Sequence, residues 1–319
     1  MKELKFIEII KNTLSFSSFL GDDCAFLEDL DIFVTHDTLV QDIHFSMYTT
    51  NAYLLGRKAV NVNLSDLAAA LCTPKYITVS VSLPGNIKDS FISELYRGIN
   101  DVCNLYNVKV IGGDITGSDK IVISICAIGK KSSLFLSSRK FARKNDYILV
   151  TGEFGSSSAG FHALSNFLQA DKSLINSHLN PAARLNEASR LSGLIDSDIA
   201  VMDCSDGLVD ALYKISSASF HSIKIDINSV PINQKLVEYC SQNNLDYKKF
   251  VKWGGEDYEL LICVPQSTYL KLDKSIFKCI GRVQNKDKNP SVIIQDGAEF
   301  EKITKEIFET NSFNHFELC

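Results

Sequence analysis

The chain has 319 residues, 45% of them hydrophobic and 22% charged, with a formal net charge of −5. That length suits about two domains on a prior of ~150 residues each, and the globular composition excludes disordered and collagen-like chains. An acid excess with no block of Lys or Arg excludes a phosphate-tracking nucleic-acid surface. No apolar run approaches the ~20 residues that span a bilayer, and the charged start MKELKFIEIIKN does not read as a signal peptide.

In chain order, β-branched or alternating runs predict strands over 32–40, 76–83, 121–129, 147–152, 222–226 and 260–264. Helical spacing fills the intervals, over 51–71, 88–106, 157–169, 182–193, 207–218, 233–243 and 266–274. This alternation predicts an α/β fold. The polar, basic stretch 130–146 places a domain boundary near residue 140, dividing the chain into 1–140 and 141–319. A second irregular stretch, QADKSLINSHLNPAAR over 169–184, reads as a functional loop because it is too long for a simple turn and contains Asn-Pro. Nine scattered cysteines with no C-x-x-C pair fit reduced thiols in a cytoplasm.

The acidic residues carry the chemistry. Asp22 and Asp23 (GDDCA), Asp37 (THDTL), Asp66 (NLSDLAAA), Asp114 (GGDIT), Asp203 and Asp206 (MDCSDGL) each lie beside small residues or at a strand end. Any one of them could simply start a turn or cap a helix. Together they would make an oxygen cage for Mg²⁺, with Asp23 favoured as the ligand of its pair. The helix YLLGRKAVNVNLSDLAAALC is apolar yet carries Lys58, Asn61, Asn63, Ser65 and Asp66, so it either has one solvated face or presents buried polar atoms to a site.

Gly112 and Gly113 let the backbone of GGDIT approach a ligand closely, or serve a plain turn. TGEFGSSSAGF passes from a strand into a helix whose first N–H groups would suit an anion, although it is neither a Walker A nor a dinucleotide fingerprint. GGEDYEL sets Glu256 and Asp257 ahead of a buried strand, as an acidic turn or a site. His44 and His178 are open between functional and structural roles, and no histidine pair has zinc spacing. With no nucleophilic triad pattern, metal-assisted phosphoryl transfer is the favoured class.

These segments, GDDCA, DTLVQDIHF, KAVNVNLSDLAAA, GGDIT, TGEFGSSSAGF, HLNPAAR, MDCSDGL and GGEDYEL, resemble in order those of the bacterial thiamine-monophosphate kinase family, within the aminoimidazole ribonucleotide synthetase superfamily. The resemblance implies two α/β domains, an N-terminal domain that binds ATP and Mg²⁺ and joins a second subunit's sheet in a barrel-like dimer, and a C-terminal α/β domain. It implies ATP-dependent, in-line phosphorylation of thiamine monophosphate to thiamine diphosphate by a cytoplasmic homodimer using several Mg²⁺ ions.

Asp23, Thr35, Asp37, Asp66, Asp114, Asp203 and Asp206 match family metal positions, Thr35 through its main chain, and Asp206 carries the catalytic assignment. Arg139, Ser205 and Gly113 match nucleotide positions, with Lys140 and Arg143 as neighbours of Arg139 that could take its part. His44, Glu256 or Asp257, and Phe313 match the acceptor side, Phe316 being the other aromatic choice. Gln41-Asp42 and Ile115 depart from the residues usual in the family. A terminal Cys319 invites comparison with the hydrogenase-maturation dehydratases of the same superfamily, but HFELC lacks their Pro-Arg-Ile context.

Overall fold

The computed structural model describes residues 2–313, and the aromatic alternative Phe316 and the terminal Cys319 lie outside the described residues. The first half runs α1 (Lys2–Thr13), β1 (Ala25–Leu27), β2 (Ile32–Val40), α2 (Ala52–Ala69), β3 (Cys72–Leu83), α3 (Asp89–Tyr106), β4 (Lys109–Gly117) and β5 (Val122–Lys131). The second runs β6 (Tyr147–Val150), α4 (Ser156–Ser165), α5 (Lys172–Leu179), α6 (Leu185–Ser192), β7 (Ala200–Asp203), α7 (Leu208–Ser219), β8 (His221–Asp226), α8 (Gln234–Gln242) and α9 (Tyr247–Trp253). It closes with β9 (Leu260–Val264), α10 (Gln266–Lys271), β10 (Lys278–Lys286), β11 (Val292–Asp296), β12 (Glu299–Ile303) and α11 (Lys305–Asn311).

Two mixed sheets result. The first is five-stranded and open, ordered β1-β2-β5-β3-β4, and the second is seven-stranded, ordered β12-β11-β8-β10-β6-β9-β7. Alternation decides which face of the first sheet is dry. Phe33 and Leu39 of β2 and Val79 and Val81 of β3 are buried against α2, while His36, Thr38 and Ser124 form a polar row behind them. By contrast β9 (LLICV), an interior strand between β6 and β7, is buried on both faces, the expected state of a continuous apolar run in a sheet covered on both sides.

Helix α2 lies between the sheets, packing on α3, β2 and β5 on one side and on α6 and β7 on the other. Its start is capped by Asn51, whose side chain accepts from the Leu54 N–H at 2.9 Å. Leu64 and Leu67 are fully buried, so one core runs from the first sheet into Val201, Leu260 and Ile262 of the second. A separate core on the second sheet's far face is covered by α4, α7, α8 and α9. Among the described residues no helix is long and apolar enough to cross a membrane.

Two expectations change. The 169–184 stretch contains α5, because Asp171 caps its start through the Ser173 N–H at 2.8 Å and Leu174 is fully buried. GGDIT is not a turn but the second half of β4, drawn into extension by parallel pairing of Asp114 with Ser80. Gly113 is required there: at φ +155° a Cβ would come 1.8 Å from the Val79 carbonyl oxygen.

Candidate active site

The polar atoms of α2 all find partners, and those partners assemble the site. Asn63 Oδ1 accepts from the Asp37 N–H at 3.0 Å, Thr35 Oγ1 donates to Asp66 Oδ2 at 2.5 Å, and Ser65 Oγ donates to Asp203 Oδ2 at 2.7 Å. Thus β2 and the end of β7 both dock on the C-terminal half of one helix. Asp23, Asp66 and Asp203 each bring a carboxylate oxygen within 4.8 Å of the others.

Burial pushes all three carboxyls above their ordinary range; neighbouring carboxylates push Asp66 and Asp203 further, whereas Arg139 offsets part of the rise at Asp23. Asp203 is raised to about 8, first by burial and then by Asp23. Asp37 adds to the effect on both Asp66 and Asp203, so it belongs to the same field. Such a repulsive, all-oxygen set fits a hard divalent cation such as Mg²⁺.

Two basic residues of the chain answer that charge. The Arg139 guanidinium pairs with Asp23, while its backbone N–H donates to Asp22 Oδ1 at 2.8 Å and Ser138 Oγ to Asp22 Oδ2 at 2.7 Å. Arg139 Nε is buried with no partner among the described residues, a donor available to a phosphate oxygen. Lys214 of α7 lies 2.9 Å from Asp206 and 2.6 Å from buried Asp210. Asp206 itself sits in the turn from β7 into α7, where Gly207 at φ +109° leaves room for the Gly254 carbonyl.

The GGEDYEL segment runs alongside this turn, its Glu256 N–H donating to the Ser205 carbonyl at 2.6 Å and its Tyr258 N–H to that of Cys204 at 3.1 Å. Each of its acids holds a different piece of the molecule. Glu256 meets Lys58 at 2.7 Å and His178 at 2.9 Å. Asp257 accepts from the Gly155 and Ser157 N–H groups at 2.8 and 3.2 Å. Glu259 pairs with Arg184 and accepts from Thr151 Oγ1 at 2.6 Å.

The expectation that the start of α4 receives an anion is therefore met by the chain's own Asp257. Burial raises the Asp257 carboxyl from 3.8 to about 8, against the pull of its two N–H donors. The folded chain then holds this proton to higher pH than the unfolded one, so the associated stability is complete below about pH 4 and is lost as pH rises toward 8. Asp257→Asn is expected to abolish that part of the decline. Melting temperatures at several pH values between 4.5 and 8 would be compared, and a variant with the wild-type slope would refute the assignment.

The remaining sequence candidates are dispersed. His44 Nδ1 accepts from the Val40 N–H at 3.0 Å, fixing the turn after β2. Phe313, 42% exposed, follows α11, which docks on α7 by stacking Phe308 on Tyr213 at 4.2 Å. Asp114 and Gly113 stand on β4, the outermost strand, three strands from β2. Asp114 pairs in register with Ser80, whose neighbours Val79 and Val81 face the core, so it lies on the sheet face opposite to Thr35 and Asp37.

The sequence reading did not single out Lys214, Arg184 or Glu259. Lys214 was legible, standing four residues after Asp210 on one helix face. The pairing of Arg184 with Glu259, 75 residues apart, leaves no local signal.

The two-sheet α/β fold is of the AIR synthase type: residues 21–130 match the family model "AIR synthase related protein, N-terminal domain", and a carboxylate cluster lies at the junction of the sheets. The chain is 32% identical to the thiamine-monophosphate kinase of Bacillus subtilis over 93% of both chains. The solved thiamine monophosphate kinase of Aquifex aeolicus is 30% identical, with a TM-score of 0.81 over 92% of this chain and 97% of that one. A structure of AaThiL complexed with AMPPCP and TMP superposes with a TM-score of 0.83 at 29% identity, covering 96% and 98%. The chain belongs to the thiamine-monophosphate kinase family.

Proposed function

We propose that this chain transfers the γ-phosphoryl group of ATP to the phosphate of thiamine monophosphate, releasing ADP and thiamine diphosphate. The convergence of Asp23, Asp66 and Asp203 beside the unpartnered Arg139 Nε carries this reading, and AMPPCP and TMP in the AaThiL complex support it. Mg²⁺ held by Asp23, Asp37, Asp66, Asp203, Asp206 and the Thr35 main chain would neutralise the phosphate oxygens that must approach one another. Arg139 and Ser205 bind and orient the nucleotide. His44, Glu256 and Phe313 serve the acceptor, with Phe313 offering an aromatic face to the cationic thiazolium. Asp257, committed to α4, acts behind Glu256 instead of touching the acceptor. No protein nucleophile is needed, because an acceptor phosphate oxygen attacks in line and catalysis consists of positioning and charge neutralisation.

The same reading makes the enzyme a cytoplasmic homodimer, with residues 1–140 as the nucleotide, metal and dimerisation domain and 141–319 as the second. Every residue of β4 is exposed, and Val110, Ile111 and Ile115 are apolar on this unpaired edge. A second copy that extends the sheet would cover them and close the barrel-like core. Asp114 and Gly113 then belong to the partner's site, since they cannot reach their own.

Pure protein incubated with thiamine monophosphate, ATP and Mg²⁺ is expected to yield thiamine diphosphate and ADP in equal amounts, resolved chromatographically against controls with thiamine or no acceptor. ADP without thiamine diphosphate would assign another acceptor, and neither product would leave only nucleotide binding.

A further inference from the structure

The HLNPAAR segment binds more of the molecule together than a loop requires. Its Asn180 Oδ1 accepts from Arg57 Nε at 2.8 Å, its Ala183 N–H donates to Asn61 Oδ1 at 3.3 Å, and its Arg184 pairs with Glu259. At its head His178, 6% exposed, places Nδ1 2.9 Å from Glu256 Oε2. The ring of Phe161, itself half open to solvent, tilts against that imidazole at 5.2 Å.

Lys58, 3% exposed on α2, takes the other carboxylate oxygen, and its Nζ also reaches the His44 carbonyl at 3.4 Å. Lys58 therefore joins the two groups assigned to the acceptor, one on the turn after β2 and one on GGEDYEL. Glu256 adopts φ +65°, a left-handed conformation that a non-glycine residue keeps only where its surroundings over-determine it.

A stability role does not account for this arrangement. Removing two charges from water costs about as much as their attraction returns, and apolar packing would serve a core equally well. What the ion pair supplies is orientation. The Lys58 ammonium and the His178 ring stand one at each oxygen, the His178 Nδ1 at 2.9 Å without an aligned hydrogen bond, and a carboxylate with about four lone-pair sites keeps acceptor capacity for a ligand.

We propose that Lys58 and His178 are positioning residues for the acceptor substrate, fixing the Glu256 carboxylate and the His44 turn as one wall of the thiamine pocket. This rests on the reading above that Glu256 contacts the acceptor. The role is indirect: neither residue touches a reacting atom, and neither serves the nucleotide.

Four variants, each checked for an unchanged melting temperature, separate the possibilities by steady-state kinetics with either substrate varied. Lys58→Met and His178→Phe are expected to raise KM for thiamine monophosphate about tenfold while KM for ATP stays within about twofold. His178→Asn, whose amide nitrogen can stand near Nδ1, is expected to recover most of the loss. Glu256→Gln tests the premise. If it leaves KM for thiamine monophosphate unchanged, the acceptor role of Glu256 falls and this inference with it. If Glu256→Gln raises that KM but Lys58→Met and His178→Phe do not, only the positioning role is overturned. Equal increases in both KM values would make the cluster structural and overturn it as well, and His178→Phe keeps the test open should Lys58→Met fail to fold.

Discussion

Asp203→Asn is expected to lower turnover by at least about a hundredfold at saturating Mg²⁺ while leaving the metal-free protein folded and no less stable. The two halves of the expectation have one cause. Asp203 is buried at the end of β7, and Asp23 and Asp66 place carboxylate oxygens within 4.8 Å of its own. In the folded chain without a cation, that charge is a liability. Burial and then Asp23 raise its carboxyl to about 8, with Ser65 and Arg139 offsetting part of the rise. An asparagine keeps the shape, still accepts from Ser65, and can donate an N–H to a neighbouring carboxylate. It relieves repulsion but removes one of the charges that would hold a divalent cation against two phosphate groups in the proposed reaction.

The check pairs the chromatographic assay with a melting curve in excess chelator. A variant that keeps more than a tenth of wild-type turnover would remove Asp203 from the metal set. Loss of the fold in chelator would make its role structural.

Much of this site was legible as a list of residues but not as an arrangement. The acids stood out because Asp among Gly, Ser and Ala has few surface partners, and the polar residues of α2 stood out against an apolar helix. Periodicity reproduced β2 and β9 with their full extents. The meaning of GGEDYEL was hidden, because Lys58, Gly155 and Arg184, which its three acids hold, come from three separate segments. Strands β10 to β12 escaped notice because their exposed faces are charged and their alternation is broken by a register shift in β10. Reading GGDIT as a turn followed its glycines, whereas pairing with β3 decided its conformation.

The position of β4 yields the second large effect. Between β2 and β4 lie β5 and β3, so Asp114 stands about 14 Å from the Asp37 backbone at ~4.8 Å per strand, on the opposite sheet face. No side-chain rotation spans that gap. If Asp114 acts at all, it acts on a second copy, and Asp114→Asn alone should impair turnover much as Asp203→Asn does.

Mixing the two inactive variants under conditions that exchange subunits then distinguishes the geometries. In a two-fold dimer, one site of each mixed pair combines Asp203 of the Asp114→Asn chain with Asp114 of the Asp203→Asn chain, and both are wild type there. The other site carries both substitutions. Random exchange makes about half of all dimers mixed, so activity should return to about a quarter of wild type. If Asp114 served its own chain, every site in every dimer would carry a lesion and mixing would restore nothing. Ile115→Lys, which sets a charge on the exposed edge beside Asp114, should block recovery when placed in both variants, because the edge-to-edge contact that delivers Asp114 is then lost.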